Sequence, residues 1–492
     1  MHIDFETCYR AIQSRDPRFD GQFFTAVTST GIYCRPICTA RTPHAGNVRF
    51  YASSAAAQAA GFRACKRCRP ESAPGSSEWN VRADLVARAL RLIADGIVDA
   101  EGVAGLACRL AVSPRHVHRE LMAEVGAGPL ALARTRRAQT ARLLIDGTSL
   151  PLSDVAFTAG FGSIRQFNDS MRQAFGSNPG ELRRRDPASG NGTGTITLRL
   201  AGRPPFAATP LLEFLGHRAI PGLEEMKENR YRRTISIGGS KAGIIELEPR
   251  SASHDVLLHL RLDDLRDLGR IVNRCRQLFD LDVDPEAVSE ILRADPALAP
   301  STLRLPGLRV PGAVDGWEIG VRAVLGQQIS VLRACTLAEG LVARLGTPIA
   351  NPEGALTHLF PTPRAVAEGD LSGMGIMPRR AETLRVLARA ILNGSITLER
   401  SADREETVAR LLNVPGIGPW TSSYIAMRAL GDPDAFPASD LGVRMGFRVL
   451  GLDSRPSAIA ARAERWRPWR SYAAMHLWQC SSTNTVNSEA PA

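Results

Sequence analysis

Four cysteines near the start of the chain constrain its fold more than any other feature. They form two short pairs, Cys34-x3-Cys38 and Cys65-x2-Cys68. Two hooks of this kind usually present four thiolates to one tetrahedral zinc ion. The spacing therefore predicts a zinc site, and it leaves open whether the zinc is only structural. Basic residues flank both pairs: Arg35, Arg41, Arg63, Lys66, Arg67 and Arg69.

Length and composition predict a folded chain of several domains. With 492 residues, we expect about three or four domains. Apolar residues make up 44% and charged residues 23%, which excludes a single small module and a disordered chain. No run of about 18 apolar residues occurs, and residues 1–6 carry no apolar leader. We therefore expect a cytoplasmic protein with no membrane partner.

The number of cysteines is odd, nine in all. An odd number in a cytoplasmic chain argues against a disulfide framework. Because free cysteine packs like a small hydrophobe, we expect the five outside the two pairs to be buried or semi-buried thiols. These five are Cys8, Cys108, Cys275, Cys335 and Cys480.

The chain is basic, with a net charge of +11, and arginine supplies nearly all of its cations. Only three of the 61 basic residues are lysines, namely Lys66, Lys227 and Lys241. Arginine's planar fork suits phosphate, although a biased nucleotide composition would also enrich it. The excess positive charge favours a polyanionic partner.

Two segments rich in turn formers divide the chain. They are residues 70–77 (PESAPGSS) and residues 186–194 (DPASGNGTG). Both contain little that could pack, which is typical of linkers. The resulting pieces are 1–70, 78–186 and 195–492.

The middle piece is predicted to be helical. Apolar residues recur at helical spacing over 81–94, and Ser113 followed by Pro114 is typical of a helix start. A second helix pair follows, with a turn at 160–162 and a helix capped by Ser163. The pattern indicates two helix–turn–helix units, with a protein-binding helical bundle as the alternative.

The last piece is predicted to join a layer containing strands to a helical domain. Residues 195–200, 233–237 and 256–262 contain alternating stretches. From about Leu265 the pattern is helical up to Gln479. We therefore expect a multidomain chain built from α+β and all-α parts.

The residues around the cysteines resemble the N-terminal domain of the Ada family. The matching segments are 20–23 (DGQF), 30–38 (TGIYCRPIC), 50–51 (FY) and 60–68 (AGFRACKRC). That family repairs methyl phosphotriesters in DNA by irreversible transfer of the methyl group to a zinc-bound cysteine. The resemblance implies a small α/β domain at 1–75 that binds one zinc ion, with Cys34 as methyl acceptor and ligand. The remaining ligands would be Cys38, Cys65 and Cys68.

The chemistry of such a site suits a damage sensor. Zinc keeps the sulfur of Cys34 deprotonated, and therefore nucleophilic, at neutral pH. Four thiolates on one divalent ion carry net negative charge, and methylation removes one negative charge. The methylated site then repels DNA phosphate less, so its affinity for DNA should rise. Arg41 matches a family position that contacts the DNA backbone, with a solvated surface arginine as the alternative.

Residues 78–186 resemble the AraC-type DNA-binding domain, which also follows the zinc domain in Ada. The matching segments are 110–119 (LAVSPRHVHR), 155–163 (VAFTAGFGS) and 175–179 (FGSNP). The resemblance implies a transcription activator, with RNA polymerase as a partner, whose helices near Ser113 and Ser163 enter successive major grooves. The residues expected to be exposed toward DNA are Arg115, His116, His118, Arg119, Arg165, Gln166 and Asn168.

A further domain of full-length Ada has no counterpart in this sequence. That domain repairs alkylated guanine and is marked by a Pro-Cys-His-Arg run, which does not occur in this chain. We therefore expect that activity to be missing and a different module to form the C-terminal part.

The main motif of the C-terminal part is residues 414–421 (VPGIGPWT). A Gly-x-Gly turn between helices, formed by Gly416 and Gly418, offers backbone N–H groups to an anion without side-chain obstruction. Helix–hairpin–helix proteins bind DNA phosphate in this way. Taken alone, the motif is also compatible with a simple tight turn.

Three more segments give this motif a context: 323–330 (AVLGQQIS), 436–440 (FPASD) and 466–473 (WRPWRSYA). Together they resemble the alkylbase DNA glycosylases of the AlkA type, within the helix–hairpin–helix superfamily. The resemblance implies an AlkA N-terminal-like domain at 195–305 and a glycosylase domain at 306–482, with a monovalent cation at the hairpin. Asp440 would be the catalytic carboxylate. The base pocket would be lined by Trp420, Tyr424 and Trp478.

These residue types suit the release of an alkylated base from double-stranded DNA. A base such as 3-methyladenine is cationic, so it stacks well on aromatic rings and leaves without a general acid. After the base is flipped out, Asp440 can stabilise the positive sugar or orient water. Asp440 could also simply cap a helix, and we expect Trp466 and Trp469 to be core aromatics.

Two positions refine the expected reaction. Relatives that also cut the strand carry a lysine where this chain has Trp420, and no lysine follows Lys241. A monofunctional hydrolase is therefore expected. In that family, one side chain inserts into the gap that the flipped base leaves in the stack, and this side chain is often apolar. Gln328 occupies that position here, and glutamine fills such a gap less favourably.

The combined expectation is a monomeric alkylation-response protein: a self-methylating zinc sensor, a transcription activator and an alkylbase glycosylase. One alternative is a transcriptional regulator whose glycosylase module is weak or inactive. Another is a repair enzyme that regulates nothing. The presence of Asp440 together with Trp420 and Trp478 argues against an inactive module.

Overall fold

The computed structural model describes most of the chain. The described residues are 5–15, 23–38, 40–51, 56–57, 60–65, 68, 70, 81–185, 195–237, 241–250, 254–262, 265 and 267–488. Parts of the predicted motifs and linkers lie outside them, namely 20–22, 66–67, 69, 71–77 and 186–194. Among the described helices, none combines the length and the apolar character that a bilayer span requires.

The described residues of the first part of the chain form a small sheet beside helix α1: α1 (Phe5–Ser14), β1 (Phe24–Val27), β2 (Ile32–Cys34), β3 (Val48–Tyr51) and β4 (Arg63–Ala64). The strand order is β3-β1-β2-β4. Strand β1 is antiparallel to β2 and β3, whereas β2 and β4 are parallel. Helix α1 places Cys8, Ala11 and Ile12 in a small core with Phe23 and Val48.

Seven helices follow: α2 (Val81–Ala94), α3 (Ile97–Arg109), α4 (Pro114–Val125), α5 (Pro129–Gly147), α6 (Leu152–Thr158), α7 (Ile164–Phe175) and α8 (Pro179–Arg185). The two predicted helix starts are confirmed. The Ser113 hydroxyl accepts from His116 N at 3.2 Å, and the Ser163 hydroxyl accepts from Gln166 N at 3.2 Å.

An antiparallel sheet of five strands comes next, with one helix: β5 (Thr195–Ala201), α9 (Ala208–Gly216), β6 (Glu224–Lys227), β7 (Arg230–Ile235), β8 (Gly243–Arg250) and β9 (Asp255–Leu262). The strand order is β5-β9-β8-β7-β6. Strands β6 and β8 were not predicted. Strand β6 (EEMK) has three charged residues among its four, so it shows no apolar alternation.

The remaining elements are mostly helices: α10 (Leu268–Leu278), α11 (Pro285–Arg293), α12 (Ala299–Arg304), α13 (Gly316–Leu325), α14 (Val331–Leu345), α15 (Pro363–Glu368), α16 (Pro378–Leu392), α17 (Arg404–Leu412), α18 (Pro419–Arg428), α19 (Leu441–Val449), α20 (Pro456–Ala463) and α21 (Arg470–Ser488). Helices α17 and α18 flank the predicted hairpin.

The prediction of uninterrupted helix from Leu265 to Gln479 is wrong. A β-hairpin interrupts it, formed by β10 (Thr347–Glu353) and β11 (Leu356–Leu359). Strand β10 is largely exposed and contains two prolines, so its sequence carries no strand pattern. The hairpin is anchored by Leu356, which is fully buried in a small cluster with Ile244 and Ile349.

Two predictions about buried residues are tested by the structure. Trp466 is a core residue, as expected, and its Nε1 donates to Asp295 at 2.9 Å, whereas Trp469 is half-buried and packs against the core. Among the five other cysteines, Cys8, Cys275 and Cys480 are buried and Cys335 is half-buried. The expectation is wrong for Cys108, which lies on an exposed face of α3.

The stability of the C-terminal part should depend on a buried histidine. Burial lowers the pKa of His476 from 6.5 to about 4, and the charge of Arg304 acts in the same direction. Its Nδ1 lies 3.0 Å from Ser301 Oγ. Between pH 6.5 and 4 the unfolded chain therefore binds a proton that the folded chain does not bind.

We expect the free energy of unfolding to fall by about 3 kcal/mol as the pH drops through this window. Urea unfolding of the wild type and of His476→Gln at several pH values checks this. The variant should be less stable at pH 7 and should lose this pH dependence, whereas His118→Gln, at an exposed position, should retain it. Equal pH dependence in the wild type and His476→Gln would refute the assignment.

Candidate functional site

The fold brings the four predicted metal ligands together. The sulfur atoms of Cys34, Cys38, Cys65 and Cys68 all lie within 4.8 Å of one another. Cys34 ends β2 and Cys65 follows the parallel strand β4, where Cys65 N donates to the carbonyl of Tyr33 at 3.0 Å. The two parallel strand ends therefore present one cysteine from each hook.

Short turns place the other two cysteines. The backbone N–H of Cys38 donates to the carbonyl of Arg35 at 3.1 Å, which closes the first hook. The backbone N–H of Arg35 donates to the sulfur of Cys68 at 3.4 Å. Cys65 is buried, whereas Cys34 is only partly buried, so the predicted acceptor is also reachable from solvent.

The donor set fits a divalent cation. Hydrogen bonds with Cys38 and Cys68, followed by burial, raise the pKa of the Cys34 thiol far above its ordinary value. Hydrogen bonds with Cys34 and Cys68 lower the pKa of Cys38 to about 2. Four sulfurs this close cannot all be thiolates without a compensating cation. Zinc in tetrahedral thiolate coordination removes that conflict.

The predicted DNA-contacting side chains of the helical part are not all equally exposed. Arg115, His118, Arg119 and Arg165 are exposed, whereas His116, Gln166 and Asn168 are half-buried. Gln166 Oε1 accepts from Gly162 N at 3.2 Å, so this side chain folds back over the turn. Arg41, in the first domain, is exposed.

The predicted base-pocket residues line one cleft of about 1380 Å³ in the C-terminal part. Asp440 caps α19, because its Oδ1 accepts from Val443 N at 3.0 Å. The same Oδ1 accepts from Trp478 Nε1 at 2.8 Å, and Oδ2 accepts from Trp420 Nε1 at 2.8 Å. The carboxylate is therefore both a helix cap and a group held in the cleft by two indoles.

Aromatic rings form one side of this cleft. Trp420 stacks on Tyr424 with centroids 5.5 Å apart and an interplanar angle of 18°. Tyr424 lies 6.5 Å from Trp478 at 43°. The sequence did not single out Phe214, which stacks on Trp478 at 5.9 Å and 18°. Phe214 lies on α9 among apolar residues, so nothing in its local pattern distinguishes it from a core residue.

Two arginines pack behind these rings. The guanidinium of Arg218 lies 3.8 Å from the centroid of Phe214, and that of Arg428 lies 4.8 Å from the same centroid. Arg428 Nη1 donates to the Tyr424 hydroxyl at 2.7 Å. Arg428 also donates to the carbonyls of Pro311 and Gly312, so it fixes the orientation of Tyr424 from a buried position.

The turn of the helix–hairpin–helix motif, which contains Gly416, is hydrogen-bonded to the loop that carries Gln328. Gln327 Nε2 donates to the carbonyl of Gly416 at 2.8 Å and to Thr421 Oγ1 at 2.9 Å. Arg380 donates to the Gln327 carbonyl. Gln328 is exposed and has a positive φ of 55°, so the loop holds it out beside the cleft in a conformation that is unusual for glutamine.

The two hairpin glycines should respond differently to alanine. Gly416 has φ +91°, and a Cβ there would lie 2.2 Å from Thr383 Oγ1. Gly416→Ala should therefore distort the hairpin, lower the free energy of unfolding by about 1–3 kcal/mol and weaken DNA binding.

Gly418 is the matched control, because a Cβ added there would meet no atom within 4 Å and its φ is negative. Gly418→Ala should lose less stability than Gly416→Ala, because only its role as helix N-cap is affected, and any loss of affinity beyond that would come from obstruction of phosphate. Thermal unfolding and DNA-binding titrations check both variants. Equal stability of the two variants would contradict this account of the hairpin.

Comparisons with known families match four consecutive parts of the chain. The metal binding domain of Ada matches residues 7–71, and a helix-turn-helix domain matches 106–185. The AlkA N-terminal domain matches 197–315, and the HhH-GPD superfamily of base excision DNA repair proteins matches 321–471. The order and the fold classes agree with those expected from the sequence, and the four-cysteine cluster is the zinc site of the Ada-type domain.

Relatives of known name match the whole chain or parts of it. A probable bifunctional transcriptional activator/DNA repair enzyme AlkA of Mycobacterium tuberculosis is 52% identical over 482 residues, 97% of each chain. The DNA-3-methyladenine glycosylase 2 of Escherichia coli is 34% identical, over 56% of this chain and 94% of its own. The bifunctional transcriptional activator/DNA repair enzyme Ada of Escherichia coli is 37% identical, over 36% of this chain and 48% of its own.

The whole-length match and the four domain matches lead to the same assignment. This chain contains both the DNA-binding helix-turn-helix domain and the helix–hairpin–helix glycosylase domain. The chain belongs to the family of bifunctional transcriptional activator/DNA repair proteins of the AlkA type, in which Ada-type domains precede a DNA glycosylase.

Proposed function

We propose that this protein repairs alkylated DNA by two reactions and regulates the response to alkylation. The first reaction is hydrolysis of the N-glycosidic bond of alkylated bases of the 3-methyladenine type. The observation that carries this proposal is the Asp440 carboxylate, held by two indole N–H groups in an aromatic cleft. The match to the HhH-GPD superfamily supports it.

The carboxylate and two aromatic residues of the cleft each have a role in this reaction. The flipped base stacks against Trp420 and Tyr424. As the N-glycosidic bond breaks, its electron pair leaves with the base, and Asp440 stabilises the positive charge on the sugar. Water then adds to the sugar carbon and releases a proton. Trp420 stands where strand-cutting relatives have a lysine, so no Schiff base forms and the enzyme is monofunctional.

The second reaction is transfer of a methyl group from a DNA methylphosphotriester to Cys34. The sulfur of Cys34 forms a bond to the methyl carbon, the methyl carbon–oxygen bond breaks, and the oxygen stays on the phosphodiester as an anion. Zinc supplies the charge that keeps the cysteine sulfurs deprotonated. The resulting thioether is stable, so the transfer is irreversible and each Cys34 accepts one methyl group.

Methylation of Cys34 would act as the regulatory signal. It removes one negative charge from the domain, so repulsion of DNA phosphate weakens. The helix–turn–helix part then binds promoter DNA more tightly, as a monomer with RNA polymerase as its partner. The exposed arginines Arg115 and Arg165 support a role of this part in binding DNA.

Methylating the protein tests the regulatory step. Wild-type protein is incubated with methylphosphotriester DNA or with undamaged DNA, repurified, and titrated with an undamaged duplex. We expect affinity for the duplex to be about 3- to 10-fold higher for the methylated protein, and the difference to shrink in high salt. Equal affinities would show that methyl transfer is repair without regulation.

A further inference from the structure

Helix α5 covers an open edge of the five-stranded sheet. Strand β5 is an edge strand, paired only with β9 within that sheet. At the C-terminal end of α5, a Cβ on Gly147 would lie 2.5 Å from the carbonyl oxygen of Thr197 and 2.7 Å from a methyl carbon of Leu198. Only glycine allows the helix to approach the strand so closely. The edge strand is thereby shielded by a helix from an earlier part of the chain.

The contact has a hydrophobic centre. Six residues of α5 and β5 are no more than 2% exposed and belong to a single core cluster. These six are Ala138, Ala141, Leu144, Ile145, Leu198 and Leu200. Helix α5 of the helix–turn–helix domain and strand β5 of the AlkA N-terminal domain therefore belong to one shared core.

Polar contacts on other elements also join the two parts of the chain. Asn273 of α10 donates to Asp95, which follows α2, at 2.7 Å. Arg88 of α2 lies 3.4 Å from the carboxylate of Asp403, and its Nε donates to the Ser401 carbonyl at 3.4 Å. Apolar burial and polar hydrogen bonds therefore both hold the two parts together.

The contact uses none of the residues proposed to bind DNA. Arg115 and Arg165 remain exposed on the helical part, and Gln328 and Gly416 remain exposed beside the cleft. We propose that residues 88–118 and 127–185 are docked on the glycosylase through α5, so that one rigid body carries two DNA-binding surfaces. The segment 186–194 then has no influence on how the two surfaces cooperate. If the two parts were only tethered, the length of segment 186–194 would set the effective concentration of one DNA-binding surface relative to the other.

Cutting the chain between the two parts tests this proposal. A protease recognition sequence is inserted between Arg185 and Thr195, the full-length protein is cleaved, and the fragments are separated by gel filtration under native conditions. We expect the two halves of the wild type to elute together. Their separation would overturn the proposal.

A matched pair of glycine variants locates the contact. Alanine favours a helix more than glycine does, so loss of association in Gly147→Ala comes from the contact with β5. Gly340→Ala is the control, since a Cβ added there, in helix α14, would meet no atom within 4 Å. After cleavage, we expect Gly147→Ala to separate and Gly340→Ala to stay associated. Identical behaviour of these two variants would contradict the proposal.

A third variant and a DNA titration complete the test without using base release. The double variant Arg88→Ala with Asn273→Ala leaves the backbone contact intact and should weaken association after cleavage.

The cleaved wild type should bind an undamaged duplex as tightly as the uncut protein does. The isolated glycosylase half of cleaved Gly147→Ala should bind about tenfold more weakly, because it loses the phosphate contacts of the helical part. An unchanged affinity of that half would refute the shared-body account, even if the glycosylase proves inactive.

Discussion

Asp440→Asn should lower kcat/KM for release of 3-methyladenine by about a thousandfold. The reason is both charge and hydrogen bonding. A neutral amide cannot stabilise the positive sugar. It also has one oxygen with which to satisfy three donors, the indoles of Trp420 and Trp478 and the backbone N–H of Val443. Its NH2 group would therefore face a donor.

The variant should stay folded and bind DNA, because asparagine caps a helix about as well as aspartate. Asp284→Asn is the matched control. Asp284 caps α11 through Glu286 N and Ala287 N and lies outside the residues that line the cleft. Base release from defined duplexes and DNA titrations measure both variants. Equal release by Asp440→Asn and the wild type would remove Asp440 from the reaction.

Cys34→Ser should abolish methyl transfer from methylphosphotriester DNA. Serine oxygen is a far weaker nucleophile than a zinc-bound thiolate at neutral pH. Mass spectrometry of peptides from the wild type should find one added methyl group, on Cys34. The variant should carry none, even with DNA in excess.

The exposed thiol of Cys108 provides the control for this prediction. Cys108→Ser should accept one methyl group at the wild-type rate, because it lies outside the cluster of four sulfurs. Metal content of each variant, measured in parallel, separates loss of the acceptor from loss of zinc. A methyl group on Cys38, Cys65 or Cys68 in the wild type would contradict the assignment of Cys34.

The features predicted from sequence are those set by short-range chemistry. The cysteine spacing, the caps at Ser113 and Ser163 and the glycine turn at 416–418 depend on a few neighbouring residues. The resemblance to known families then placed Asp440, Trp420 and Trp478 in one cleft, and the structure brings them together there.

The features that were missed depend on contacts between distant segments. Phe214 reaches Trp478 from another part of the chain, and Arg428 orients Tyr424 from behind. Gln327 joins the loop that carries Gln328 to the glycine turn at 416–418. None of these residues has a local pattern that differs from an ordinary helix or loop. Strand β10 was missed for a related reason, since it is exposed and lacks alternation.

The central claim is that one chain combines a reaction that occurs once with a reaction that turns over. The most direct measurement counts products per protein molecule on DNA that carries both methylphosphotriesters and 3-methyladenine in excess. We predict that methyl transfer stops at one group per chain while base release continues through many cycles. Base release that also stops at one per chain, or methyl transfer that is absent or exceeds one, would contradict the account.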